Sequence, residues 1–321
     1  MATSVLSRMA SMMPRREFAS QQLREQYEAA KRALNEEAKE NWGNQTWHRE
    51  QAALVATKID QGFKNENILS SYIPTQNVGA ADQVFIEETR GMKVFWTARN
   101  GQVDQSQIKT ESWEMSRETL GWHVSEFEDN WENDYAKMVS TLVNFAGQRE
   151  VAEVNRRIFT ALQEAVSSAS PYYEDASSTG LTPAVLNPLL SEVADNPPAS
   201  NVDFALPLAI VGRAAAIDQI SDFPNFASEA REEIRLRGRL GVYRAANIVR
   251  VTNWTDEENL PYIPDDEVFI LGGDYGRFVN YGGSKVRVWT ENETEHLHHK
   301  SRRDVGVAIF RPQYVRRIKV A

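Results

Sequence analysis

Between Glu128 and about Val166 apolar positions recur at helical spacing. Trp131, Tyr135, Met138, Leu142 and Phe145 step by four and three, and after Arg149 a second run follows through Val151, Val154, Ile158, Ala161 and Ala165. No proline interrupts the segment, so the pattern predicts one helix of about 38 residues, some 55 Å long at 1.5 Å per residue. That is far above the globular mean of about 11 to 12 residues. Gly147, which costs about 1 kcal/mol against Ala inside a helix, and the change of stripe beside it mark a predicted bend. The regular seam of a coiled coil fails after Phe145, so the expectation is a strut lying across a sheet.

Around this helix the pattern changes several times. Phe18 to about Trp42 is rich in Ala, Glu, Lys, Gln and Arg with Leu23, Tyr27 and Leu34 at helical spacing, which predicts an exposed helix with a thin apolar stripe. A mixed stretch runs to Gly62, and Ile68 to Val78 reads as extended chain broken by Pro74. From Val84 to Trp113 the period becomes two, with Met92, Val94, Trp96 and Ala98 on one side and Lys93, Phe95, Thr97 and Arg99 on the other. Asn100-Gly101 supplies the turn of a two-residue hairpin. The return strand, Gln102 to Thr110, is almost wholly polar, and so bare a ribbon is marginal in water alone. It is either a surface ribbon or an arm completed by a neighbouring subunit.

Ser167 to Ser178 reads as loop, and Asn196-Pro197-Pro198 punctuates the chain again, leaving a short helix near Pro183 to Val193. Leu206 to Ile220 and Phe223 to Arg237 read as two helices, each with proline in its opening turn. Strands are expected at Ala246 to Val251, Glu267 to Leu271, Phe278 to Tyr281, Val286 to Trp289 and Val305 to Phe310, with glycine pairs between some of them. The order is that of an α+β protein.

With 321 residues, 41% hydrophobic and 25% charged, the composition is that of an ordinary globular chain able to bury a large core. No stretch approaches the roughly 18 unbroken apolar residues of a transmembrane helix, and the first residues lack the apolar core of a signal peptide. Cysteine is absent, which removes disulfides, thiolate metal sites and cysteine nucleophiles. Net charge is −9, so the average surface repels polyanions and the chain is not a dedicated nucleic-acid reader. The charge is segregated. Glu111 to Tyr135 carries eight carboxylates against Arg117 alone, while Lys300, Arg302, Arg303, Arg311, Arg316, Arg317 and Lys319 face only Asp304. Segregation of this kind is a solvated face or complementary charge between copies of the chain.

Candidate chemistry is sparse. Glu295-His296-Leu297-His298-His299 has metal-ligand residue types but not the spacing that presents two histidines on one helix face, and it reads as a wet loop. Gly272-Gly273-Asp274-Tyr275-Gly276 matches no phosphate-binding motif and reads as a turn. Asp265-Asp266 sits beside Pro264 in a loop, and no nucleophile elbow exists. The reading is of a non-enzyme with no catalytic residues, cofactor or metal. The rival is a metal-dependent hydrolase using His296, His298 and His299, and a tail or adhesin protein is disfavoured by the lack of repeats.

The order of elements resembles the major capsid proteins of tailed bacteriophages, the Hong Kong 97 fold, which encapsulin shells also share. Four stretches carry the resemblance over about Val84 to Ala321: the hairpin VFIEETRGMKVFWTARNGQVDQSQIKTESW, the acidic lead-in to the long helix WHVSEFEDNWENDYAKM, the stretch ALPLAIVGRAAAIDQISDF, and the closing strand RRDVGVAIFRPQYVRRIKV. The resemblance implies an N-terminal arm at 1–62, a connector at 63–83, an E-loop at 84–115 with Arg99, Asn100, Gly101 and Gln102 at its tip, a peripheral domain with the spine helix at 116–180, an axial domain at 181–285, and returning peripheral strands at 286–321. It implies self-assembly into the hexamers and pentamers of an icosahedral head around double-stranded DNA, with scaffolding, portal and decoration proteins as partners. It places the chain in the virion after assembly in the host cytoplasm. Some relatives link an E-loop lysine to a neighbour's asparagine; here the tip has no lysine, and Lys93 and Lys109 lie farther down the strands. Within the same fold the alternative is an encapsulin-type compartment for enzyme cargo.

Overall fold

A computed structural model describes residues 21–41, 44–66, 72–90, 109–194, 208–223, 241–244, 246–251, 264–291 and 296–320. Among the described residues two helices come first, α1 (Gln21–Asn41) and α2 (Gln45–Glu66), followed by strands β1 (Thr75–Val78), β2 (Phe85–Arg90), β3 (Lys109–Glu114) and β4 (Glu118–Phe127). The long helix α3 (Glu128–Ala165) has the expected 38 residues. After it come β5 (Tyr173–Ala176), α4 (Pro183–Ala194), β6 (Ala209–Gly212), the single turn α5 (Ala214–Ile217) and a 3-10 turn over 218–222. Seven strands follow among the described residues: β7 (Val242–Tyr243), β8 (Ala246–Arg250), β9 (Glu267–Leu271), β10 (Gly276–Tyr281), β11 (Lys285–Glu291), β12 (His296–Ile309) and β13 (Val315–Val320).

The strands form two sheets and a ribbon. β12 is the axis of the first sheet: β4 lies along one side, β11 and β10 follow one another along the other, and β1 pairs in parallel outside β10. The second sheet has the order β5-β13-β9-β6-β8-β7, and β2 and β3 form the separate ribbon. The C-terminal strands divide between the sheets, β12 in the first and β13 in the second, so 286–321 does not return to one sheet. Likewise β10, inside the 181–285 stretch, belongs to the first sheet.

The strut α3 holds these parts together by changing partner along its length. Its first half buries Tyr135, Val139, Leu142, Val143 and Ala146 against α1 and α2 through Leu34, Trp47, Val55 and Ile59. Its second half buries Val154, Ile158, Phe159 and Leu162 against Phe269 and Leu271 of the second sheet and Phe278, Val305 and Val307 of the first. The other face of the second sheet is covered by Leu186, Leu190 and Val193 of α4. The change of apolar stripe near Gly147 therefore records a change of neighbour. The only non-helical residue inside α3 is Asp134 (φ −153°, ψ 64°), so the bend is there and not at Gly147. Asp134 caps the helix proper: its Oδ1 accepts the Lys137 backbone N–H at 3.3 Å, while Lys31 and Asn35 of α1 donate to the same carboxylate at 2.7 and 3.3 Å. Partial burial raises the Asp134 pKa, but these hydrogen bonds outweigh it and hold the carboxyl below its ordinary range.

Three further expectations are corrected. Leu206 to Ile220 is not one helix: Ala209–Gly212 is a fully buried strand between β8 and β9, because Ile210 and Val211 fit a sheet interior better than a helix. The stretch Ser167 to Ser178 contains β5. The histidine cluster is no loop, since His296 to His299 open the 14-residue β12. The mixed stretch before Gly62 forms a helix. In α2, Trp47, Gln51, Val55 and Ile59 repeat every four residues and are buried, and Asn44 caps the start by accepting the Thr46 N–H at 2.9 Å. Of the expected helix at Phe223 to Arg237 only Phe223 lies within the described residues.

Candidate assembly surfaces

The ribbon is rooted in the first sheet. Val84, Ile86 and Met115 are buried against Val279 and Tyr281, and the Met115 N–H bonds the Val84 carbonyl at 2.9 Å. Beyond the root β2 and β3 run in antiparallel register from Phe85 opposite Glu114 to Arg90 opposite Lys109. The expected tip residues Arg99, Asn100, Gly101 and Gln102 lie outside the described residues. On the spine helix, Tyr135 and Leu142 are buried and Met138 is half-buried, as the stripe requires. Phe145 departs from it: its side chain is 58% exposed, because Ala146 takes the inward position. The side chain of Trp131 is outside the described set.

Beneath the first sheet sits an ionic clasp. Along β12 the odd positions Leu297, His299, Ser301, Arg303 and Val305 point inward and the even positions outward, the alternation of a strand with one covered face. Arg303, 2% exposed, donates from Nε to Glu150 of α3 at 2.9 Å and from Nη2 to Asp60 of α2 at 2.5 Å. Glu150 also accepts from Trp122 Nε1 at 3.0 Å and from the Ser301 hydroxyl at 3.4 Å. Asp60 accepts the Ser284 backbone N–H at 3.1 Å. Its approach needs Gly283, where an added Cβ would lie 2.4 Å from Asp60 Oδ2. One arginine thus ties α2, the strut and the first sheet together.

His299 lies in the same covered layer. Burial, reinforced by the positive charge that His48 and His298 would carry, pushes its pKa from 6.5 down to about 3. The imidazole is neutral in the fold but protonates near 6.5 once unfolded, so the unfolded chain binds more protons between those values. Its contribution is intact above about pH 6.5 and is lost progressively as pH falls toward 3. Urea unfolding at pH 7.5 and 5.5 is expected to show lower stability at the lower pH, and His299→Leu should flatten that difference. An unchanged slope in the variant would contradict this role.

The basic run of the C-terminal part is mostly consumed internally. Arg303 serves the clasp, Arg311 pairs with Asp274 at 3.1 Å, Arg316 with Glu192 at 3.3 Å, and Arg317 with Glu267. Lys300 and Arg302 instead point outward from β12 and are exposed. The outward histidines of the cluster join a stack: His298 and Trp289 lie 4.9 Å apart with planes at 9°, and His123 Nε2 stands 3.1 Å from His298 Nδ1. Among the described residues no group of three or more His, Cys, Asp or Glu side chains could hold a metal ion. His296 and His298 face opposite to His299, so the three cannot converge on one ion, which removes the support for the hydrolase rival.

A sheet crossed by a long strut, a second sheet carrying its own helix and a projecting two-stranded ribbon together make the Hong Kong 97-like shell fold. The family described as "SPbeta prophage-derived putative capsid protein YonB" matches residues 9–315, and the chain belongs to that family. No curated protein matches the sequence. Among solved structures, the chain is similar to the capsid of the cyanophage P-SCSP1u, with TM-score 0.58 and 10% identity over 79% of this chain and 88% of that one. It is also similar to the acid-stable capsid of the Helicobacter pylori bacteriophage KHP30, with TM-score 0.57 and 10% identity over 79% and 91% of the two chains. A virus-like particle from Pyrococcus furiosus gives TM-score 0.50 and 14% identity over 83% and 97%. The chain is a capsid shell protein, and its partner is in the first place itself.

Proposed function

We propose that this chain is the main subunit of a tailed-phage-type head, tiling as hexamers and pentamers around double-stranded DNA. The carrying observation is the capsid-family match over nearly the whole chain. The build agrees with it, since two sheets joined by a 38-residue strut, with a separate two-stranded ribbon, are the parts that a tiling subunit needs. In this reading the first sheet with α3 is the peripheral domain, the second sheet with α4 is the axial domain nearer the capsomer centre, and 84–115 is the E-loop that overlaps a neighbour. Scaffolding, portal and decoration proteins are the further partners, assembly occurs in the host cytoplasm, and the role is structural with no catalysis. DNA is contacted without sequence preference, consistent with a net charge of −9 that keeps the wall from binding it tightly.

Particles purified from cells that produce the virus should contain this chain as their most abundant protein and enclose nuclease-protected double-stranded DNA. Particles in which it is a minor component would refute the proposal. The shell should also hold without covalent links, because the hairpin tip has no lysine and arginine, always protonated, cannot form the isopeptide bond. Boiling in denaturing detergent should give one band at the monomer mass, whereas a ladder lost on changing Lys93 or Lys109 to Arg would show the tip to be misplaced.

A further inference from the structure

At the border of the first sheet β11 is paired on one side only: among the described residues its partner is β12, and no strand lies on its other flank. In an antiparallel pair alternate residues turn their N–H and C=O groups away from the partner, so about half of the β11 backbone polar groups point out of the sheet. That flank borders a cavity of about 730 Å³ between β11 and α2. The strand wall is Ser284 to Trp289, and the helix wall carries Ala52, Ala53 and Ala56. Elsewhere on α2 the larger Trp47, Gln51, Val55 and Ile59 are buried, whereas the three alanines leave room beside the sheet. Val286 and Val288 turn inward onto the cluster that holds Val55 and Ile59, while Lys285 and Arg287 stand exposed or half-exposed on the alternate positions. At about 3.4 Å per residue the strand wall spans about 17 Å, the length of about five residues of extended chain. The rim decides which chain fits. Arg49, Lys285 and Arg287 line the cavity and no carboxylate does. Among the described residues Arg49 and Arg287 pair with no carboxylate, and Lys285 stands 3.9 Å from Asp304. Cations on an edge strand keep like-charged edges from pairing with it and leave an acidic strand acceptable.

We propose that this groove receives an extended acidic segment of a second protein, added to β11 as a further strand of the first sheet. The backbone of the segment satisfies the outward groups of β11. Its inward side chains are apolar and lie over Ala52, Ala53 and Ala56, and its alternate carboxylates meet Lys285 and Arg287. A second copy of the chain is the competing occupant. It is disfavoured because its own β11 arrives with its own α2 packed beneath, in the space that the first α2 lines, whereas an isolated segment brings no helix. The first twenty residues of the chain itself have the wrong sign, with Arg8, Arg15 and Arg16 against Glu17. The groove lies within one subunit, and only the source of the segment, a protein that assembles together with the shell, rests on the shell reading.

The test is binding of fluorescein-labelled hexapeptides to the full chain, read by fluorescence anisotropy at near-neutral pH. The probe is EVEVEV. The comparisons are KVKVKV, with the charge reversed, and EPEPEP, with the same charge but no ability to pair as a strand. Wild type should bind EVEVEV at least about tenfold more tightly than either comparison. Ala53→Trp, on the exposed part of the helix wall, should fill the groove and weaken that binding at least about tenfold with the melting temperature unchanged, and R287E should weaken it to a similar degree. If Ala53→Trp melts early, R287E carries the test by itself. Equal affinity for EVEVEV and EPEPEP, no loss in R287E, or no binding by wild type up to about 1 mM peptide would each overturn the proposal. A wild-type oligomer that Ala53→Trp disperses without any peptide would assign the groove to a second copy and overturn it as well. Failure of the wild type to form particles, with peptide binding intact, would instead overturn the shell reading and leave the groove standing.

Discussion

Arg303→Ala is expected to lower the unfolding free energy by about 3 to 5 kcal/mol, the usual cost of removing one partner from a buried ionic group. The loss would exceed that of an ordinary truncation because of what is left behind. Glu150, 3% exposed, would keep only Trp122 and Ser301 as donors, and Asp60 would be left with the Ser284 backbone N–H. Glu150 would then stay desolvated without a counter-charge, while Asp60, partly exposed, would turn to solvent. Because Asp60 sits on α2, the first region to loosen should be residues 45–66, visible as faster amide hydrogen exchange there than in β9. Arg303→Leu combined with Glu150→Leu should recover much of the loss, since a well-packed apolar pair is often as stable as the buried ions it replaces. A cost below about 1 kcal/mol for the alanine variant would mean that the clasp is not what joins helix, strut and sheet.

Replacing Thr97 to Gln105 with a short Gly-Ser link is expected to abolish closed shells while leaving a soluble, folded subunit. The fold should survive because the ribbon is anchored by its root: Val84, Ile86 and Met115 provide the burial, and all three lie outside the replaced segment. The return strand from Gln102 offers only Val103 and Ile108 as large apolar residues, so little core is removed. Assembly should fail because an arm that no longer reaches its neighbour removes a contact at every subunit of the lattice at once. Far-UV circular dichroism and melting would check the first half, and electron microscopy the second. Normal particles from this variant would remove the hairpin from the assembly machinery.

The elements easiest to read from sequence were those whose side chains report a single environment. β9 at Glu267–Leu271 and α4 were legible because their apolar spacing persists from end to end, and the spine helix because each half keeps helical spacing against its own neighbour. The harder ones share a physical cause, polar residues in covered positions. His48 and Gln51 interrupt the inward stripe of α2, and His299, Ser301 and Arg303 that of β12, so the first looked mixed and the second began nine residues late. Burial of those groups depends on partners remote in sequence, such as Glu150 and Asp60 for Arg303, which no local window contains. β6 was misread for a related reason: Ala209 to Gly212 is a strand only because β8 and β9 flank it. Segregated charge was visible in the sequence, but only pairing separates Arg303, Arg311, Arg316 and Arg317, which are neutralised within the chain, from Lys300 and Arg302, which pair with no carboxylate among the described residues. The bend at Asp134 was hidden because the capping donors come from α1.

The most direct test is cryo-electron microscopy of the full chain expressed by itself and purified at near-neutral pH. Closed icosahedral shells are expected, with each subunit's long helix lying in the shell wall and each hairpin crossing onto an adjacent subunit. A monodisperse monomer or small oligomer, stable and folded but forming no shell across a range of concentration and salt, would contradict a shell-forming role for this chain.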